Sequence, residues 1–100
     1  MIKVQNNINQ TLFQIIDKKI KNSQGQVLAH LDGNNIINSM GQIIMTIDGN
    51  KGLSINNDTP LVSHSDGQII NTNGQIIGKL IGQGSTEEYT LGACAFILYA

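Results

Sequence analysis

From Val4 to Gly82 the chain is built of short apolar runs of four to seven residues separated by turn residues. Within the better-formed runs the pattern has period two. One face reads Val27, Ala29 and Leu31, then Ile43, Met45 and Ile47, then Ile76, Gly78 and Leu80. The opposite face carries Gln26 and His30, Gln42 and Thr46, Gln75 and Lys79. Alternation with one apolar face marks a half-buried antiparallel strand. Runs of this length suit strands and are too short for free-standing helices. The pattern predicts an all-β chain of ten short strands.

The runs repeat as pairs, with a period of about sixteen residues, five times over. Val4-Gln5-Asn6 returns as Ile20-Lys21-Asn22, Ile36-Ile37-Asn38 and Ile69-Ile70-Asn71. Two kinds of turn punctuate them. Asn9, Gly25, Gly41, Asn57 and Asn73-Gly74 lie inside the units, where a residue tolerant of positive φ closes a hairpin. Asp32-Gly33, Asp48-Gly49 and Asp66-Gly67 lie between units, with Asp17-Lys18 in the corresponding earlier place, and read as type I′ pairs. A hairpin of this size cannot bury an apolar face alone. Five consecutive hairpins closed around an axis share one core and leave few exposed edges. Unlike sizes at matching positions, Ala29, Met45 and Gly78, predict an interior filled differently from unit to unit.

The fourth unit is irregular. Gly52 stands where Ile is expected, Pro60 falls in the second strand and about one extra residue precedes Ile69. Proline donates no ladder hydrogen bond, so this unit is predicted to hold a bulge or an edge, and to be the weak seam of the ring. Simple decay of the repeat explains it more economically than an entrance or a partner site.

Residues 89–100, Tyr-Thr-Leu-Gly-Ala-Cys-Ala-Phe-Ile-Leu-Tyr-Ala, carry no charge. They are too few to span a bilayer, which takes about twenty apolar residues. They are also too apolar to lie in water, since burying five large side chains contributes on the order of 8–15 kcal/mol before entropy. The segment is therefore expected to thread the axis as a plug, with Gly92-Ala93-Cys94-Ala95 at the narrowest level and Leu91, Cys94, Phe96, Ile97 and Leu98 facing the channel. A helix carries its own hydrogen bonds into a dry channel. Ser85-Thr86-Glu87-Glu88 supplies the hydroxyls and carboxylates of a helix start. The whole, residues 1–100, reads as one domain: hairpins over about 4–82 and a central segment over about 86–100.

Composition excludes more than it assigns. Only 13% of residues are charged and the net charge is -1, whereas a nucleic-acid binder needs a basic face. Lys18, Lys19 and Lys21 form the one basic cluster, and a solvated turn accounts for them. Cys94 is the only cysteine, so no intrachain disulfide forms. The first residues lack the apolar core of a signal peptide, and the expected location is cytoplasmic, with peripheral membrane attachment as the alternative. Asn9-Gln10-Thr11 and Asn57-Asp58-Thr59 match a glycosylation sequon but have no meaning without secretion.

Asp17, Asp32, Asp48 and Asp66 were candidates for a cation-collecting rim, but turn chemistry explains each, and hairpins hold them too far apart for one ion. His30 and His64 fall at corresponding ends of second strands near Asp32 and Asp66, a His–carboxylate pairing that suits general base chemistry. No positioned nucleophile accompanies them: Ser63 and Ser65 belong to no supporting motif, and Cys94 reads as a small core residue. No catalytic residue, metal ligand or cofactor is assigned.

The successive hairpins of Asp-Gly-Asn and Ile-Ile-Asn-x-x-Gly-Gln-Ile-Ile type, followed by a small-residue apolar terminus, resemble the bacterial β-flower proteins in their five-fold form. The resemblance runs from Val4 to the tail and departs at the fourth unit. It implies hairpin petals around a hydrophobic centre, with a likeness to Tubby-type barrels filled by a C-terminal helix. It implies no activity and carries no catalytic residues. The expected function is a non-catalytic binding or scaffold module acting through a rim or a mouth of the apolar axis, with a protein partner, self-association or an apolar ligand as its target. The alternative is a membrane- or lipid-associated protein using the apolar segment or the channel.

Overall fold

The computed structural model describes Met1–Ala100. Ten antiparallel strands form a closed barrel: β1 (Ile2–Gln5), β2 (Thr11–Ile16), β3 (Lys19–Asn22), β4 (Val27–Asp32), β5 (Asn35–Asn38), β6 (Ile43–Asp48), β7 (Lys51–Leu53), β8 (Pro60–Ser65), β9 (Gln68–Asn71) and β10 (Ile76–Gly82). Each pairs with its sequence neighbours, and β1 pairs with β10 from Ile2↔Gly82 to Gln5↔Lys79. The Met1 amine donates to the Gln83 carbonyl at that junction. One helix, α1 (Thr86–Tyr99), runs inside the ring. The sequence-based architecture holds: five hairpins closed around a helical C-terminal segment.

Three sets of five side chains point inward. The first strands contribute Val4, Ile20, Ile36, Gly52 and Ile69, all buried. The second strands contribute Phe13, Ala29, Met45, Val62 and Gly78, and then Ile15, Leu31, Ile47, His64 and Leu80. The second-strand equivalences are shown by the hydrogen bonds that Leu31, Ile47, His64 and Leu80 donate from their amides to carbonyls of the preceding turn.

Period two fails at the start of every second strand. The register slips by one residue in all five hairpins, leaving Leu12, Leu28, Ile44, Leu61 and Ile77 as the extra residues of β-bulges. A bulge bends its strand and re-aims the extra side chain, and all five pack half-buried against the core. The residue before each bulge turns out instead. Val27, Ile43 and Ile76, expected in the channel, are 44%, 46% and 48% exposed. The bulge is therefore a property of the repeat rather than of the irregular fourth unit. Pro60 opens β8 beside one of these bulges, in a closed ring without an edge strand.

The two turn classes lie at opposite ends of the barrel. Asn6, Asn22, Asn38 and Asn71 each accept from two backbone amides, those two and four residues on, and donate through Nδ2 to Gln10, Gln26, Gln42 and Gln75. These side-chain amides lock the hairpin turns. In the fourth unit Ser54 takes the asparagine's place over a loop one residue longer. At the other end Asp17-Lys18 and Asp66-Gly67 both have positive φ, as a type I′ turn requires. Asp32 and Asp48 do not fit that reading. They end β4 and β6, and the two central residues are Gly33-Asn34 and Gly49-Asn50 with only the glycine at positive φ, a type II′ arrangement. The four aspartates thus occupy two different turn positions.

Six consecutive helix residues, Thr90 to Ala95, are fully buried or nearly so. Six residues sweep more than one full turn of helix, so no face of this segment meets water. Leu91 and Cys94 lie there as expected, Phe96 and Leu98 pack half-buried near the exit, and Ile97 is 38% exposed because the helix has by then left the ring. The wall is fitted to the helix. A Cβ at Gly78 would come within 2.9 Å of the Phe96 ring, and one at Gly92 within 2.7 Å of Leu80. No helix is long and apolar enough to cross a membrane.

Candidate functional site

The barrel has two mouths of different chemistry. The helix enters at the end that bears the Asp turns. Ser85 caps it by accepting from the Glu88 amide, while the Glu88 carboxylate accepts from the Ser85 amide, a reciprocal capping box. The second carboxylate oxygen of Glu88 accepts from the Lys18 amide of the wall. Entry geometry is thus set by a local motif and one contact to the ring.

His64 lies at this mouth. Its matching residues in the other units are Ile15, Leu31, Ile47 and Leu80, not His30. The extra residue in the fourth hairpin loop shifts the count by one, so His30 faces solvent while His64 turns inward. His64 Nε2 lies 2.9 Å from Thr90 Oγ1, which lies 2.8 Å from the Gly49 carbonyl and 3.0 Å from that of Thr86. Carbonyls only accept. All three groups are served when Nε2–H donates to Thr90 and the threonine hydroxyl donates onward to Gly49. Burial lowers the His64 pKa, opposed by a hydrogen bond with the Thr86 backbone. Asn50 Nδ2 donates to the His64 carbonyl, and the Tyr89 ring packs against the imidazole.

This arrangement binds helix to wall rather than activating a nucleophile. The Thr90 hydroxyl is buried and directed at a carbonyl. Burial pushes the Cys94 thiol up to about 12, far from thiolate reactivity. No three His, Cys, Asp or Glu side chains converge as ligands for a metal ion, and every buried side-chain polar atom has a partner.

The mouth where the helix leaves is uncharged and open. A cleft of about 630 Å³ lies there between the first two units and the end of α1. Leu12, Phe13, Phe96 and Tyr99 give it apolar walls, and Asn6, Asn22 and Ser23 form its polar edge. Leu12 reaches it because the bulge turns that side chain in. Phe13 and Tyr99 pack with ring centres 6.1 Å apart, and the Tyr99 hydroxyl points to the Leu28 carbonyl at 3.4 Å. Burial raises the Tyr99 pKa and keeps the phenol neutral. Both asparagines are already engaged in their turn locks. A smaller hollow of about 310 Å³ adjoins the cleft along Thr11–Gln14. The irregular fourth unit has only a hollow of about 190 Å³ beside Pro60 and Val62.

Of the residues expected to face the channel, the structure gathers Ala29, Leu31, Met45, Ile47, Gly78, Leu80, Leu91 and Cys94 into the core. It leaves Val27, Ile43 and Ile76 outside and puts Phe96 at the cleft. Leu12, Phe13 and Tyr99 were not singled out as site residues. An aromatic at the first inward position of a second strand, where other units have Ala29, Met45, Val62 and Gly78, was the available signal. Comparison with protein-family models, with curated proteins and with solved structures finds no match.

Proposed function

We propose that this protein is a non-catalytic binding module that takes a small, uncharged, largely apolar molecule at the mouth where the helix exits. The observation that carries this reading is the cleft of about 630 Å³ walled by Leu12, Phe13, Phe96 and Tyr99. A concave apolar site with few polar groups is the usual form of a small-molecule pocket. Asn6 and Asn22, engaged with their own turns, favour a ligand that asks for few hydrogen bonds. The residues that a membrane-anchoring tail would place in lipid, Leu91 and Cys94 among them, are fully buried in the barrel. Membership of the bacterial five-fold β-flower group, a likeness to Tubby-type barrels and a cytoplasmic location complete the proposal and rest on the sequence pattern.

Titration with a neutral aromatic probe such as indole, followed by amide and methyl NMR shifts, tests it. Saturable shifts confined to Leu12, Phe13, Phe96, Tyr99 and their neighbours are expected, and Leu12→Glu abolishes them. Shifts that are absent, or that scatter over the surface without saturating, overturn the reading.

A further inference from the structure

The end of the barrel that carries the hairpin turns differs from the rest of the surface. Asp58 is the only charged residue in its five turns, Asn6–Gln10, Asn22–Gln26, Asn38–Gln42, Ser54–Thr59 and Asn71–Gln75. The opposite end collects Asp17, Lys18, Asp32, Asp48, Asp66 and Glu87. Apolar side chains stand at the uncharged tips: Ile8 is 72% exposed, Met40 75% and Ile55 49%. Val27, Ile43 and Ile76, turned out by the bulges, flank the same rim. Nothing in the fold of one chain requires an aliphatic side chain at these tips. The corresponding residues of the second and fifth turns are Gln24 and Asn73.

We propose that this rim is the contact face of a homodimer in which two barrels meet end to end through their hairpin turns. Size, charge and hydration favour a second copy as the occupant. The molecule measures 31 × 31 × 22 Å, and the two equal lengths are the diameter of the ring. A disc of that diameter covers roughly 750 Å²; with the open mouth at its centre, the contact falls below the ~800 Å² each partner contributes to a standard interface and suits a reversible dimer. The rim is self-compatible because its charges are few, Asp58 and the Lys79 ammonium bonded to Asn9, so like charges meet only in a register that opposes either to itself. Four of its five turns have their Asn and Gln side chains already hydrogen-bonded to each other, which lowers the desolvation penalty on contact. A membrane surface is the weaker fit, since the rim's one ammonium, that of Lys79, is already bonded to Asn9 and no basic cluster faces headgroups there. The proposal stands whether or not the cleft binds a ligand.

Sedimentation velocity over a wide concentration range tests it, with Met40→Lys and Ile8→Lys at the rim and Asn34→Lys at the opposite end. Both rim positions are exposed tips, and far-UV circular dichroism checks that the variants remain folded. The expected result is a monomer–dimer equilibrium whose dissociation constant rises at least about tenfold in each rim variant and stays unchanged in Asn34→Lys. A monomer at all concentrations overturns the proposal, as does a dimer equally weakened or equally unaffected by all three changes. A monomer that instead co-sediments with phosphatidylcholine vesicles, and loses this with Met40→Lys, overturns it in favour of a lipid surface.

Discussion

Cys94 occupies the space that a side chain at position 52 would fill. A Cβ built on Gly52 collides with Cys94 Sγ and would also lie 2.9 Å from Met45 Cε and Val62 Cγ1. The other first strands have Val4, Ile20, Ile36 and Ile69 at this inward position. The ring surrounds one helix of fixed shape, so wall and plug must trade volume petal by petal. Gly52 is thus a complement to Cys94, not decay of the repeat. Gly78 beneath the Phe96 ring is the same device one petal pair away.

Gly52→Ala is expected to destabilise the protein by about 1–3 kcal/mol through overpacking. Cys94→Ala alone costs roughly 1 kcal/mol or more as a small cavity. Because the two side chains compete for one space, the double variant should be more stable than the sum of single losses implies. Urea denaturation of the four proteins measures the coupling, and additive losses would show that the two positions do not share volume.

His64 gives a pH dependence of definite sign. Its pKa is lowered in the folded protein by burial, so the unfolded chain binds the proton more readily. Stability is then complete above the unfolded value of about 6.5 and declines as pH falls from there toward the lowered folded value. His64→Leu restores the aliphatic residue of the other four units and removes this term, leaving Thr90 its Gly49 acceptor. Melting temperatures of the two proteins from pH 7.5 to pH 5 should diverge as pH falls (~6.5 marks the onset). Parallel curves would place the pH sensitivity elsewhere.

The asparagine locks should be worth more than their exposure suggests. Asn38 accepts from the Met40 and Gln42 amides and donates to Gln42 Oε1. Asn38→Ala removes all three bonds and is expected to cost about 1–2 kcal/mol. Asn38→Asp keeps both acceptor roles and should lose less. Chemical denaturation separates the variants, and equal losses would mean that the donated bond to Gln42 carries the lock.

Much of the fold was legible in the order of residues because its causes are local. Turn residues at a period of about sixteen set the hairpins, and Ser85 with Glu88 three residues later marked the helix start. The Asn–Gln locks were legible too, as Asn followed four residues later by Gln in four units, although their role as turn clamps emerged only with the geometry. The bulges were not. A period-two count assigns Val27, Ile43 and Ile76 inward, and only pairing with the neighbouring strand reveals the extra residue that turns them out.

The sequence by itself determined that five hairpins must share a core and that an uncharged segment of twelve residues must fill it, since neither can hide its apolar surface alone. Tertiary structure decided which side chains meet there. Gly52 receives Cys94, Gly78 receives Phe96, and His64 rather than His30 turns toward Thr90. These are contacts between residues far apart along the chain, and they depend on register and helix rotation. Both are fixed only when the ring closes and every inward side chain competes for the same volume.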